Sequence, residues 1–205
     1  MTPVLRRATA RVAPQAARLI LEAVPSLEVV LGSRETALRA LAACYRADRT
    51  ELAHRFGLLA EAEGGVAGLV VAFPGRLYGA LKLGTGVVLA RAAGARHVTG
   101  LAQRARVLNR LLPGVDRRFL YVSTLAVAPE LRRQGIATAL MDRVVGGATR
   151  LGLGVALDVG ISDEGARALY AKLGFRVVSG RETSAEERRL VPVSGMVRME
   201  RPAGP

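Results

Sequence analysis

The chain has 205 residues and half of them are hydrophobic, so it can form one domain, or at most two, without covalent cross-links. Its one cysteine, Cys44, excludes an internal disulfide, and such low cysteine usage is typical of a reducing compartment, which predicts a cytoplasmic protein. The net charge of +13 comes mainly from arginines spread along the whole chain, and only 4% of the residues are aromatic, so solvation of the surface and small anionic ligands are favoured over nucleic acid.

The first part of the chain predicts a strand followed by two helices. Residues 5–12 alternate weakly between apolar and polar and predict the strand. Arg6 and Arg11 lie where a secretory leader would need its apolar segment, so no leader is expected. Apolar side chains then recur at helical spacing over residues 14–23 and 33–49 and predict the two helices.

The middle of the chain predicts a hairpin and then a helical insertion. Two apolar runs, 56–63 and 66–73, are joined by a pair of glycines, which is a hairpin signal. The segment 76–112 breaks the strand rhythm, and we expect one or two glycine-punctuated helices there. Arg76, Lys82 and Arg91 interrupt the best apolar candidate, residues 66–95, so no membrane-spanning helix is expected.

The clearest pattern is a strand, a loop and a helix between residues 119 and 151. Residues 119–127 are rich in β-branched and aromatic side chains, and Pro129 interrupts that strand. Ile136, Leu140 and Val144 then recur at helical spacing. Beyond this helix the sequence predicts a strand, a helix and two more strands at 155–159, 163–173, 175–178 and 191–199. This order of elements predicts one mixed α/β domain over residues 1–205.

The loop before this helix has the properties of an anion site. Arg132 and Arg133 supply positive charge, while Gly135 and Ala137 keep the backbone accessible. The first N–H groups of a helix have no partner within it, and the helix dipole favours anions there. The loop therefore predicts a cradle for a phosphate or pyrophosphate.

Other site types have little support. The Walker spacing with its Gly-Lys-Ser/Thr ending is absent, and so is the Gly-x-Ser-x-Gly motif of α/β hydrolases. His54 and His97 lie far apart with no cysteine cluster, so no metal site is predicted. Cys44 lies on the apolar side of a predicted helix, where a buried inert thiol is the favoured interpretation.

Two motifs resemble the GCN5-related N-acetyltransferase (GNAT) family. Its Arg/Gln-x-x-Gly-x-Gly/Ala signature is matched by Arg132-Arg133-Gln134-Gly135-Ile136-Ala137. A second family pattern, ending in Leu-Tyr-x-x-x-Gly-Phe, is matched by the segment from Asp163 through Leu169-Tyr170 to Gly174-Phe175. The resemblance covers residues 120–178 and implies a mixed α/β fold. That fold has a mostly antiparallel sheet of six to seven strands, flanked by helices and splayed between strands 4 and 5.

The resemblance implies that acetyl-CoA is the co-substrate, without a metal, and that the acetyl group passes directly to a primary amine. Backbone groups near Leu125 and Val127 would pair with the pantetheine arm, and the next loop would hold the diphosphate. The implied cofactor-binding residues are Leu125, Ala126, Val127, Arg132, Arg133, Gln134, Gly135, Ile136, Ala137, Thr138 and Asp163. Asp163 replaces a common asparagine, and capping of the following helix is an alternative role for its carboxylate.

By the same resemblance, Tyr170 would be the general acid that protonates the leaving thiolate, although packing of its ring in the core is the alternative. No general base is assigned, because the candidate carboxylates Asp116, Glu61, Glu63 and Asp158 lie on neighbouring segments and a water chain is an alternative.

The acceptor, a small-molecule or peptide amine, would bind near residues 25–49 and 76–109. Dimerisation through the last strands is compatible with the resemblance. Two alternatives remain open from the sequence: a non-catalytic CoA-binding or regulatory module on the same fold, and a basic nucleic-acid-binding protein.

Overall fold

The computed structural model describes residues 3–62, 65–93 and 98–204 of the chain. The strands are β1 Val4–Arg7, β2 Gly57–Ala62, β3 Gly65–Pro74, β4 Phe119–Val127, β5 Gly154–Gly160, β6 Arg176–Glu182 and β7 Gly195–Arg201. The helices are α1 Ala13–Ala23, α2 Ser26–Leu31, α3 Arg34–Arg46, α4 Tyr78–Ala93, α5 Val98–Leu111, α6 Ile136–Arg150, α7 Glu164–Lys172 and α8 Ala185–Leu190.

One sheet organises the described residues. Its seven strands lie in the order β1-β2-β3-β4-β5-β7-β6, and neighbours are antiparallel except for the parallel pair β4–β5. A parallel pair needs a crossover connection, and α6 provides it. The predicted mixed α/β fold with a mostly antiparallel sheet is therefore confirmed.

The sheet opens between its two central strands. β4 and β5 pair from Phe119↔Gly154 to Val122↔Leu157, whereas β4 continues to Val127 alongside β3. Five residues of β4, 123–127, thus extend beyond the ladder with β5. The expected splay between strands 4 and 5 is confirmed, and it leaves one edge of β4 without a strand partner in the described part of the chain.

Apolar side chains cover both faces of the sheet, because successive side chains of a strand point to opposite faces. Leu69 and Val71 of β3 pack with α1, α3 and α5 on one face. Val70 between them packs with α6 and α7 on the other face. α6 contributes the buried side chains Ile136, Leu140, Met141, Val144, Val145 and Ala148, as its helical spacing predicts.

Several boundaries differ from the sequence prediction. β1 ends at Arg7, and the Ala10–Val12 part of the predicted strand is a short 3₁₀ turn leading into α1. α2 begins directly after the proline that ends α1, since proline tolerates the start of a helix. α8 forms inside the predicted charged loop, where Ser184 and Glu187 make a reciprocal capping box.

The last two strands are shifted, because α8 occupies residues 185–190: β6 runs on to Glu182 and β7 begins at Gly195, whereas the sequence predicts strands at 175–178 and 191–199. The other predicted elements agree closely with the structure. The segment 76–112 forms two helices, α4 and α5, between β3 and β4. β2 and β3 pair antiparallel as the hairpin signal predicts, although residues 63 and 64 of its turn lie outside the described residues.

Candidate functional site

The loop between β4 and α6 has an unusual backbone. The Ala128 N–H donates to the Ala67 carbonyl at 2.9 Å, which fixes the end of β4 against β3. Farther along, Arg133 and Gly135 both have left-handed backbone angles, with φ of 64° and 82°. A non-glycine residue in this region is uncommon, so the loop makes a tight, specific turn just before α6 begins.

The N-terminus of α6 exposes backbone donors. The first intrahelical hydrogen bond runs from the Ala139 N–H to the Gly135 carbonyl at 2.9 Å. The amides of Ile136, Ala137 and Thr138 come before it, and the cap residue has no side chain to accept from them. A Cβ added to Gly135 would meet no atom within 4 Å, so the space beside this turn is open. These features suit a bound phosphate or diphosphate.

The free edge of β4 leads directly to this helix. Ala126 lies opposite Leu69 of β3, and the next alternate residue, Ala128, also bonds towards β3. Because peptide groups alternate in direction along a strand, those of Leu125 and Val127 face away from β3, towards the opening. The Val127 carbonyl accepts a hydrogen bond from Nε of Arg132 at 3.3 Å, as expected for that direction.

Tyr170 lies on α7, close in sequence to the end of β5. Its side chain is 8% exposed and belongs to the same apolar cluster as Ile136 of α6. The ring packs against Phe175 with centroids 5.9 Å apart. Burial, and to a lesser degree the charge of Asp163, raise the pKa of Tyr170 well above its usual value, so its hydroxyl stays protonated at neutral pH.

Behind the opening, a buried ion pair joins β5 to β7. Asp158 Oδ1 accepts from Arg198 Nε at 2.8 Å, and Oδ2 accepts from Arg198 Nη2 at 2.8 Å and from the Tyr121 hydroxyl at 2.9 Å. The side chains of Arg198 and Asp158 are only 5% and 2% exposed. Two further hydrogen bonds run from Arg198 to the carbonyls of Pro113 and Gly114. Arg198 and Asp158 therefore hold β5 and β7 together and attach them to the segment at residues 113–114.

A second polar group lies between β4 and the helix α4. The Glu51 N–H donates to Oγ1 of Thr85 at 2.9 Å, and the Glu51 carbonyl accepts from the Ser123 hydroxyl at 2.6 Å. Lys82 Nζ donates to the Tyr78 hydroxyl and to the Leu112 carbonyl, both at 3.1 Å. Burial raises the pKa of Glu51 to about 7, while the charge of Lys82 opposes that rise.

The sequence of this chain also matches a known protein family. The model of the acetyltransferase (GNAT) family matches residues 31–175. The chain belongs to the GNAT acetyltransferase family. No curated protein sequence matches it.

Solved structures share the GNAT fold with this chain at low sequence identity. An acetyltransferase is similar with a TM-score of 0.70 and 22% identity, covering 98% of this chain and 100% of its own. An N-acetyltransferase from Staphylococcus aureus Mu50 has a TM-score of 0.74 and 19% identity, covering 97% and 100%. The ribosomal-protein-S18-alanine N-acetyltransferase from Escherichia coli has a TM-score of 0.57 and 15% identity, covering 100% and 96%.

In this GNAT chain, most of the cofactor-binding residues expected from the sequence lie along one continuous path. Leu125 and Val127 form the open edge, and residues 132–138 form the loop and the helix start beyond it. Ala126, also expected there, turns its backbone to β3 and is buried in the core. The Gln134 side chain folds back to the Glu130 carbonyl at 3.5 Å, within the loop itself.

Asp163 has a defined structural contact. Its Oδ1 accepts the Ala166 N–H at 3.0 Å and so caps the first turn of α7, which is the alternative that the sequence left open. That bond occupies one carboxylate oxygen, and contact of Asp163 with the cofactor stays a prediction.

The carboxylates considered as general bases from the sequence are poorly suited to that role. Asp158 is saturated by the Arg198 and Tyr121 donors described above, while Asp116 and Glu61 pair with Arg118 and Arg6 near the surface. Glu63 lies outside the described residues.

Glu51 is absent from the residues predicted from the sequence, because no local sequence pattern distinguishes it from other acidic residues. The contacts that place Glu51 come from residues 34 and 72 positions away in the sequence. The only available signal was that an acidic residue follows a predicted helix next to the presumed acceptor region.

The described residues provide neither a membrane-spanning helix nor a cluster of metal-ligating side chains. None of the helices within the described ranges has the length and hydrophobicity needed to cross a bilayer. Across the same ranges, no three His, Cys, Asp or Glu side chains converge so as to hold a metal ion.

Proposed function

We propose that this protein is an acetyl-CoA-dependent N-acetyltransferase that transfers the acetyl group directly to the primary amine of a small molecule or peptide. The observation that carries the proposal is the continuity of the open β4 edge with the donor-rich start of α6. An extended acyl-pantetheine arm needs backbone partners along its length, and a diphosphate needs converging N–H groups at its end. Family membership supports the same donor, since acetyl-CoA is the usual co-substrate of GNAT enzymes.

Different residues would bind different parts of the coenzyme. Backbone groups of Leu125 and Val127 would hold the pantetheine amides as an added strand would. The amides of Ile136, Ala137 and Thr138 would bind the diphosphate, with positive charge from Arg132 and Arg133 near the loop. The edge then directs the thioester towards the point where β4 and β5 separate.

Tyr170 would act as the proton donor. When the amine nitrogen attacks the thioester carbonyl, the C–S bond breaks and the electron pair stays on sulfur. A protonated phenol within hydrogen-bond distance of that sulfur can neutralise it. Because the raised pKa of Tyr170 keeps the hydroxyl protonated, the group is in the correct state over the whole neutral range.

A second candidate function is a CoA-binding module without turnover. The packing of Tyr170 against Phe175 in a mostly buried position supports this function, because it gives the ring a structural role that does not require turnover. Fold alone does not decide between the two functions.

One experiment separates them. Purified protein is incubated with acetyl-CoA and an amine panel consisting of an alkylamine, a polyamine, an arylalkylamine, free amino acids and short peptides with a free N-terminus. Release of free CoA thiol and the mass of the acetylated amine are measured. An enzyme gives both products in equal amounts, whereas a sensor binds acetyl-CoA without forming either product.

A further inference from the structure

Glu51 is held at the point where the sheet opens. It follows α3, and its two backbone hydrogen bonds attach it to Thr85 of α4 on one side and to Ser123 of β4 on the other. Ser123 is the first residue of β4 beyond the last pair with β5, Val122↔Leu157. The residue therefore lies beside the place to which the open edge directs the thioester.

Close packing keeps α4 against this segment. A Cβ built on Gly84 would lie 1.8 Å from the carbonyl oxygen of Arg49, so only glycine allows the helix to approach so near. α4 brings Lys82 and Tyr78 to the same region, and the Lys82 ammonium lies 5.0 Å from the centre of the Tyr78 ring. α4 is therefore packed tightly against the segment that holds Glu51.

Titratable groups from three elements interact with the charge of Glu51. They are Cys44 from α3, Tyr78 and Lys82 from α4 and Tyr121 from β4, while Asp158 of β5 and Arg198 of β7 act on Tyr78 and Lys82. Asp158 and Arg198 neutralise each other through two hydrogen bonds of 2.8 Å. Cys44 and the tyrosines remain protonated because burial raises their pKa values. Lys82 is left as the principal charge acting on Glu51.

The balance of these effects suits a group that gains and loses a proton near neutrality. Burial disfavours the carboxylate and Lys82 favours it, and the resulting pKa of Glu51 is about 7. A base with such a pKa is largely ionised at cellular pH and still accepts a proton readily.

We propose that the Glu51 carboxylate accepts a proton from the acceptor amine, directly or through one water, and that α4, which packs against this segment through Gly84 and Thr85, completes the active site. This inference rests on the proposed acetyltransferase function. An ammonium acceptor loses one N–H proton to Glu51, and its lone pair then forms the C–N bond while the C–S bond breaks. Tyr170 protonates the sulfur, the second amine proton restores the phenol, and Glu51 returns its proton to solvent.

The test compares pH profiles of kcat/KM for the amine with the highest kcat/KM in the panel. We expect Glu51→Gln to lower kcat/KM by about 100-fold at pH 7.5 and to replace the break near pH 7 by a rate that keeps rising with pH towards the pKa of the amine. Glu186→Gln makes the same chemical change on α8, where the residue is exposed and lies outside the predicted acceptor region, and should leave the profile unchanged. A Glu51→Gln enzyme with the wild-type rate and profile would overturn the inference.

Lys82→Met provides a second readout that does not need the Glu51 variant to fold. Removing the positive charge raises the pKa of Glu51, so the acid side of the profile should move to higher pH. An unchanged profile would contradict the role given to α4.

Acetyl-CoA binding by each variant, measured calorimetrically, distinguishes failure of the proposed acetyltransferase function from failure of the Glu51 assignment. If wild-type protein neither binds acetyl-CoA nor acetylates any amine, the proposed function fails. If it does both and Glu51→Gln is fully active, only the Glu51 assignment fails.

Discussion

The Ser123 hydroxyl donates a 2.6 Å hydrogen bond to the backbone carbonyl of Glu51, which lies 72 residues earlier in the chain. This bond links the strand that forms one wall of the opening to the segment that follows α3. It holds the backbone of Glu51, whose carboxyl pKa burial raises to about 7, next to the strand edge expected to bind the coenzyme.

Gly135→Ala should weaken acetyl-CoA binding by about tenfold or more. The new methyl group would project into the open space in front of the α6 amides, and the left-handed φ of 82° would cost about 1 kcal/mol of stability. Gly152→Ala is the matched control, since Gly152 also has a left-handed φ, of 65°, and no neighbour within 4 Å, but lies beyond the other end of α6. Calorimetric titrations and melting temperatures measure both effects. Equal losses of affinity in the two variants would contradict the assignment of the loop.

Tyr170→Phe should reduce kcat by about 100-fold and leave acetyl-CoA affinity nearly unchanged, because only the proton donor is lost. Tyr45→Phe is the control. Tyr45 is fully buried, and within the described residues its hydroxyl has no hydrogen-bond partner. Removing that hydroxyl should leave kcat unchanged and stability equal or higher. Steady-state kinetics with the panel amine and thermal unfolding test the pair, and full turnover by Tyr170→Phe would remove its catalytic role.

Glu51→Gln should stabilise the protein while it inactivates the enzyme. The pKa of Glu51 is raised from 4.5 to about 7 in the folded state, so the native protein binds more protons than the unfolded chain between these values. Stability therefore falls as pH rises through that window, by up to about 3 kcal/mol, and the penalty stays constant at higher pH. The variant lacks this penalty. Urea unfolding at pH 4.5 and pH 8 should show a gain for the variant only at the higher pH, and an equal gain at both would contradict the buried carboxylate.

Gly84→Ala should lower both stability and kcat/KM, because the added methyl group must push α4 away from the Arg49 carbonyl. We expect a loss of about 1–3 kcal/mol, as for other overpacked sites. Gly86→Ala lies two residues farther along the same helix, where a Cβ meets nothing within 4 Å. This control should be neutral or stabilising by up to about 1 kcal/mol. Activity that survives unchanged in Gly84→Ala would show that the position of α4 does not matter for turnover.

The sequence predicts those parts of the site that depend on local patterns. The strand 119–127, the turn at Gly135 and the helix from Ile136 follow from β-branched content, glycine and helical spacing, and the structure confirms each. Two motifs were also enough to predict the family, and the family match over residues 31–175 confirms that prediction.

Features that depend on contacts between distant segments could not be predicted. Glu51 gains its environment from α4 and β4, and the Asp158–Arg198 pair joins residues 40 positions apart. Short helices were also missed. α2 and α8 have six residues each, too few for a reliable periodic pattern, and their caps rather than their apolar spacing define them.

The most direct test of the central claim is isothermal titration calorimetry of the purified protein with acetyl-CoA, performed at two temperatures so that a near-zero enthalpy at one does not hide binding. We predict saturable one-to-one binding that Gly135→Ala weakens and Gly152→Ala does not. No saturation at either temperature, with acetyl-CoA or any other CoA thioester, would contradict the claim that the open edge of β4 and the start of α6 form a coenzyme site.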